Sequence, residues 1–306
     1  MDKPLKISTV IHAIVILSII AIAGCRQGGR GEGRNADKES ISGADAGLYE
    51  DLKQAEKIFY SLPSPLESAM LIKSAGAQFD DELLNPVENS NNYNTNRTMA
   101  LNLGIYTCDL SFASLYDQTQ LIINYMNAAK KMADGLGILD AISDEDIERL
   151  ESNIHDRDVI MEIVSQTYLN SNSYLDENGQ PAIAAIVLTG AWIEGLFIST
   201  QLVDMEDLDG NKLVGRIIDQ KLSVGNLMSL LEENQGHPAV DELIVQVGRI
   251  RTVFDKITLT ATPVTTEFDQ ESNVTLLKSE VSSDLTPEVF NQLASTVAGI
   301  RNNLIK

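Results

Sequence analysis

Cysteine is nearly missing from this sequence: Cys25 and Cys108 are the only two in 306 residues. Beyond Cys25, Cys108 stands alone, so no intramolecular disulfide can form even in an oxidising compartment and the fold must rely on packing. Histidine is as scarce, with His12, His155 and His237. None lies at a metal-ligand spacing from another or from Cys108, which leaves no zinc motif, and so few histidines offer little choice of general base. There is no Gly-x-Ser-x-Gly elbow and no glycine loop of the kind that cradles phosphate. Positive charge is also short: 23 Lys and Arg face 44 Asp and Glu, a net charge of −21. Such a surface repels nucleic-acid phosphates, so a nucleic-acid partner is not expected, and it favours cationic partners or ions.

What is present begins with a charged N-terminus, Lys3 and Lys6, followed by a run from Ile7 to Gly24 whose only titratable residue is His12. Its apolar centre, Ala13 to Ala23, has the length of a secretory h-region. The run ends in Ile22-Ala23-Gly24-Cys25. This tetrapeptide resembles the lipobox of bacterial lipoproteins, in which an aliphatic and two small residues precede the cysteine. The resemblance implies that residues 1–24 are a signal peptide, that Cys25 receives a diacylglycerol and becomes the new N-terminus, and that acyl chains hold the protein on a membrane of the bacterial cell envelope. Two or three chains anchor stably where one does not. Arg26 follows Cys25, so the acidic residue that marks inner-membrane retention in some bacteria is absent and the outer membrane is favoured. Eighteen uncharged residues at the short end of bilayer-spanning length leave an uncleaved transmembrane helix as the competing reading. Residues 1–24 carry a net charge of +1, so the remaining 282 residues carry −22.

Residues 25–44 hold glycines, mixed charges and few apolar side chains, the composition of a flexible tether. Residues 45–306 read as one acidic helical domain, mainly α, an irregular bundle of seven to nine helices. Leu48, Leu52, Ala55, Phe59 and Leu62 form a first apolar stripe. Ser64-Pro65-Leu66-Glu67 is a helix start with a capping serine, proline at the first position and glutamate at the third. Six asparagines and a proline between Asn85 and Asn96 predict a long surface loop. Apolar spacing from Thr98 to Asp134 predicts helix, closed by Gly135 and Gly137. Ser143-Asp144-Glu145-Asp146 opens a helix that reaches Tyr174, either unbroken or interrupted near Asp156. Ala182 to Val203 is apolar nearly all round with one charge, Glu194, the pattern of a central bundle helix or a membrane helix. Helices over 211–233 and 239–257 are separated by Gln235-Gly236-His237-Pro238. Thr- and Val-rich alternation over 258–281 predicts a small β-hairpin or extended arm, and Thr286-Pro287-Glu288 starts a last helix with Val289, Phe290, Leu293, Val297 and Ile300 on one side.

Chemistry is confined to a few residues. Asp204, Glu206, Asp207 and Asp209 before Gly210 form an acidic loop, but its register fails the EF-hand pattern, because Met205 and Arg216 fall where the first and twelfth ligands belong. No metal or cofactor site is expected. Cys108, within an apolar helix, reads as a small buried hydrophobe. Asp109 and Glu194 are charged residues in otherwise apolar helices, and a buried carboxylate must be hydrogen-bonded, paired or protonated. Tyr106, Tyr116 and Arg157 are candidate partners for them. Alternatively Asp109 and Glu194, with Trp192 and Tyr106, line a ligand cavity. Gly190 and Gly195 allow close helix approach beside Trp192. Three functions follow: a non-enzymatic adaptor or binding module tethered to a membrane, with a protein or small molecule as partner; a small-ligand carrier with a cavity between apolar helices; and a hydrolase with a site assembled in space. A closed dry core would remove the second, and a concave cluster of His155 or His237 beside acids would favour the third.

Overall fold

The computed structural model describes residues 62–139, 144–208, 211–261, 265–269, 274–278 and 281–306. The lipobox with Cys25, the tether, the apolar stripe from Leu48 to Phe59, and Asp209-Gly210 of the acidic loop lie outside the described residues. Among those described the chain is mainly α, with nine α-helices and two short antiparallel strand pairs: α1 Pro65–Ser74, α2 Asn96–Leu115, α3 Thr119–Gly135, α4 Asp144–Ser152, α5 Arg157–Glu177, α6 Pro181–Gln201, α7 Lys212–Glu233, α8 Pro238–Phe254 and α9 Pro287–Leu304.

Local signals explain where most of these begin and end. Ser64 accepts from the Glu67 amide at 3.2 Å while Glu67 accepts from the Ser64 amide at 2.7 Å, so α1 opens with the reciprocal capping expected of its sequence. Thr95 and Thr98 make the same exchange at the start of α2. The continuous apolar pattern from Thr98 to Asp134 is divided into α2 and α3, because Asp117 takes a left-handed conformation with φ 57°. Aspartate tolerates that region better than most residues, and apolar periodicity does not register a single turn residue. A break does occur before Arg157: Asp156 accepts from the amides of Asp158 and Val159, each at 3.2 Å, and so caps α5.

The core is built around α2 and α6, which pack more extensively on each other than any other pair. Both are buried on nearly every side. Helix α6 is long and apolar enough to cross a membrane by length and composition, and most of it is enclosed by the other helices. The two backbones touch at glycines. A Cβ on Gly190 would run into the Leu101 carbonyl, and one on Gly104 would meet the Val187 carbonyl and the Ala191 amide. Gly195 serves another neighbour, since its added Cβ would lie 3.1 Å from Ser68 of α1. Helices α3 and α5 cover α2, whereas α7, α8 and α9 cover α6.

Between α8 and α9 the alternating segment forms nested antiparallel pairs. β1 (Leu259–Ala261) pairs with β4 (Val281–Ser283), and β2 (Thr265–Asp269) with β3 (Val274–Lys278). At its base the Thr258 amide donates to Asp284 at 2.6 Å, and the hydrogen bonds from Thr258 hold the Asp284 carboxyl below its usual range.

The asparagine-rich segment leaves Asn91, Asn92, Asn94 and Asn96 exposed, as its composition predicts, but is not a loop throughout and turns Asn85 inward. Val87–Asn91 is a short 3-10 helix, and Asn85 and Tyr93 are buried on either side of it. Asparagine is tolerated inside because its amide is fully engaged: Asn85 Nδ2 donates to Asn102 Oδ1 at 3.0 Å and to the Tyr93 hydroxyl at 3.2 Å, and its Oδ1 accepts from Asn89 at 2.9 Å.

Candidate functional site

Helix α2 has two unlike sides, and the candidate residues divide between them. On one side, Asp109 and Glu194 come together, both with 0% exposure. Glu194 is reached by Arg301 from the last turn of α9, itself 4% exposed. Arg301 Nε donates to Glu194 Oε2 at 2.8 Å and Nη2 donates to Oε1 at 2.7 Å, a bidentate pair, while Nη2 also reaches the Leu83 carbonyl at 2.9 Å. The guanidinium lies 4.5 Å from the Phe197 ring centre. Asp109 Oδ2 accepts from the Asn85 amide at 3.1 Å, and its Oδ1 has no donor among the described residues.

The partners expected from sequence are elsewhere. Tyr106 donates to the Pro86 carbonyl at 3.1 Å and Tyr116 to the Ala77 carbonyl at 2.5 Å. Arg157 lies at the surface, 3.9 Å from Asp117 and from Asp158. Trp192 turns toward α7, where Nε1 donates to Gln220 Oε1 and Ser223 Oγ, each at 3.1 Å. Asp109, Glu194, Tyr106 and Trp192 are therefore all engaged within the fold, and Trp192 belongs to a different cluster from the two acids. Arg301 and Asn85 are the functional partners that sequence reasoning missed. The same network also ties down the C-terminus, because Asn102 Nδ2 donates to the Leu304 carbonyl at 3.3 Å and Tyr93 to the Ile305 carbonyl at 2.9 Å.

Burial dominates the electrostatics here. It pushes the Asp109 carboxyl well above the usual carboxylate range, and the Glu194 charge adds to that effect. It likewise raises the hydroxyls of Tyr106 and Tyr125 and the Cys108 thiol. Cys108, 1% exposed, is thus a buried small hydrophobe, not a nucleophile.

The opposite side of α2 is covered less completely. Leu103, Thr107 and Leu110, all buried, form one wall of a cleft of about 80 Å³, continued by Met126, Ala129 and Lys130 of α3, Ile147 and Leu150 of α4, and Ile163, Val164 and Thr167 of α5. The wall is almost entirely carbon. The Thr107 hydroxyl is spent on its own helix, donating to the Leu103 carbonyl at 2.7 Å. Lys130 and Asp146 bring the two charges to the lining. None of the four residues proposed from sequence lines it.

A third feature is a pocket of about 210 Å³ that gathers Ser114, Asp117, His155 and Arg157. It meets the description of a histidine beside acids. Its chemistry is incomplete, however: the Ser114 hydroxyl donates to the Leu110 carbonyl at 2.7 Å, Asp156 is occupied as a helix cap, and His155 is exposed. No group of three or more His, Cys, Asp or Glu capable of holding a metal ion occurs among the described residues. No protein family, curated protein or solved structure matches this chain.

Proposed function

We propose that this chain is a lipid-anchored protein of the bacterial cell envelope whose acidic helical domain is a non-enzymatic binding module, and that its binding site is the apolar cleft between α2, α3, α4 and α5. The anchoring rests on the run from Ile7 to Gly24 and on Ile22-Ala23-Gly24-Cys25. The binding role rests on one observation: a carbon-walled cleft beside the apolar core. Cavities with this lining stay dry and take apolar guests. The ligand class is therefore a small molecule with an aliphatic body.

A hydrolase is the second reading, carried by the grouping of Ser114, Asp117 and His155. It is weaker because the serine hydroxyl is committed to its own helix. The deciding experiment is native mass spectrometry and solvent extraction of the protein purified from membranes. The proposal predicts a copurifying apolar molecule and acyl chains on the N-terminus. In Cys25→Ser the acyl chains are lost and unprocessed precursor accumulates, while the cleft ligand is retained. A ligand-free protein, or full processing of Cys25→Ser, contradicts the corresponding half of the proposal.

A further inference from the structure

Two carboxylates and one guanidinium are enclosed together where α2, α6 and α9 meet. The bidentate pair of Arg301 and Glu194 is electrically complete. Asp109 stands outside it. Its Oδ2 is satisfied by the Asn85 amide, yet its fully buried Oδ1 has no donor. Glu194 is near enough for its charge to act on Asp109. Two carboxyl groups so placed can share a hydrogen bond only if one of them carries a proton. The other titratable groups around the cluster are Tyr93, Tyr106, Cys108 and Tyr125, and none of them brings a positive charge.

We infer that the fold contains a structural proton: Asp109 is an un-ionised carboxylic acid whose Oδ1–H donates to Glu194, which makes the Asp109–Glu194–Arg301 cluster neutral and completes the seat of α9. Ionised, Asp109 would leave one uncompensated negative charge in the core, with an oxygen lone pair facing nothing. As an acid it fills both its hydrogen-bonding positions. The inference is independent of the ligand proposed for the cleft.

A bound proton links folding to pH. In the unfolded chain Asp109 ionises at about pH 3.9, whereas in the folded protein burial and Glu194 hold its carboxyl well above that range. Its stabilising contribution is thus complete below the unfolded value and declines as pH rises toward the folded one. Across that interval folding takes up one proton, and the folding equilibrium constant falls about tenfold per pH unit. The net charge of −21 also makes the protein more stable in acid, but repulsion between surface charges is screened at about 1 M salt, where the Debye length is about 3 Å. A buried proton is not screened in this way.

The test is denaturant unfolding of the full chain between about pH 5 and about pH 7 in about 1 M salt, for the wild type and Asp109→Asn. Asparagine keeps the shape, offers a permanent donor to Glu194, and binds no proton. The folding constant of the wild type should fall as pH rises, by up to about tenfold per unit, and that of Asp109→Asn should stay level. The infrared absorption of an un-ionised carboxylic acid at neutral pH should be present in the wild type and missing from the variant. An equal pH dependence in both proteins overturns the inference. If Asp109→Asn does not fold, wild type labelled with 13C-aspartate decides alone: the carboxylic-acid band must move with the label, and a protein without such a band has no structural proton.

Discussion

The two sides of α2 use the same helix for opposite purposes. Toward α6 and α9, the side chains of Asn102, Asp109 and their partners are enclosed and nearly every polar atom is answered, whereas toward α3, α4 and α5 the buried side chains of Leu103 and Leu110 line a small apolar cleft. A polar network of this sort fixes one arrangement of neighbouring elements, because any displacement strands buried donors and acceptors. A carbon-walled cleft makes no such demand, and loses only dispersion and burial when it is empty. The lesson is that charge in an apolar helix marked the joint of the fold, and the candidate for binding lay on the side without charge.

Glu194→Gln should have the largest effect. It leaves Arg301 buried without a counter-charge, which costs about 3–5 kcal/mol, and the melting temperature should fall by roughly 10 °C for a chain of this size. Asp109→Asn, at the adjacent carboxyl, should cost far less at neutral pH because it replaces an acid by another donor. Equal losses in the two variants would break the distinction between the charged pair and the neutral acid. Gly104→Ala comes next. Its Cβ meets backbone atoms of α6 that cannot yield, so roughly 1–3 kcal/mol should be lost, as measured by denaturant unfolding. Tyr106→Phe is smaller, about 0.5–1.5 kcal/mol, for one hydrogen bond to the Pro86 carbonyl with the ring left in place.

Much of this was legible in the residues themselves. The mainly α class, the start of α1, and the amphipathic face of α9 follow from caps and periodicity, which are local properties. Asp109 and Glu194 stood out because charges in apolar helices need an explanation. Their partner did not, since Arg301 is 107 residues from Glu194 and sits in the last turn of α9, where a basic residue is already favoured by the helix dipole. Asn85 was hidden for a related reason: asparagine-rich composition reads as a surface loop, and only tertiary contact turns its amide inward. The cleft left no signal either, because Leu103, Leu110 and Ile163 look the same in sequence whether they meet side chains or a ligand.

The measurement that bears most directly on this contrast fills the cleft and leaves the polar side untouched. Ala129→Phe places a ring into the cleft at a half-buried position of α3. Thermal unfolding is then compared with and without a short primary alcohol such as butanol, which stabilises whatever folded state it binds by mass action. The account predicts that butanol raises the melting temperature of the wild type and leaves that of Ala129→Phe unmoved, with the ligand-free proteins matching within about 1 kcal/mol. A wild type indifferent to the alcohol, or an equal rise in both proteins, would contradict it.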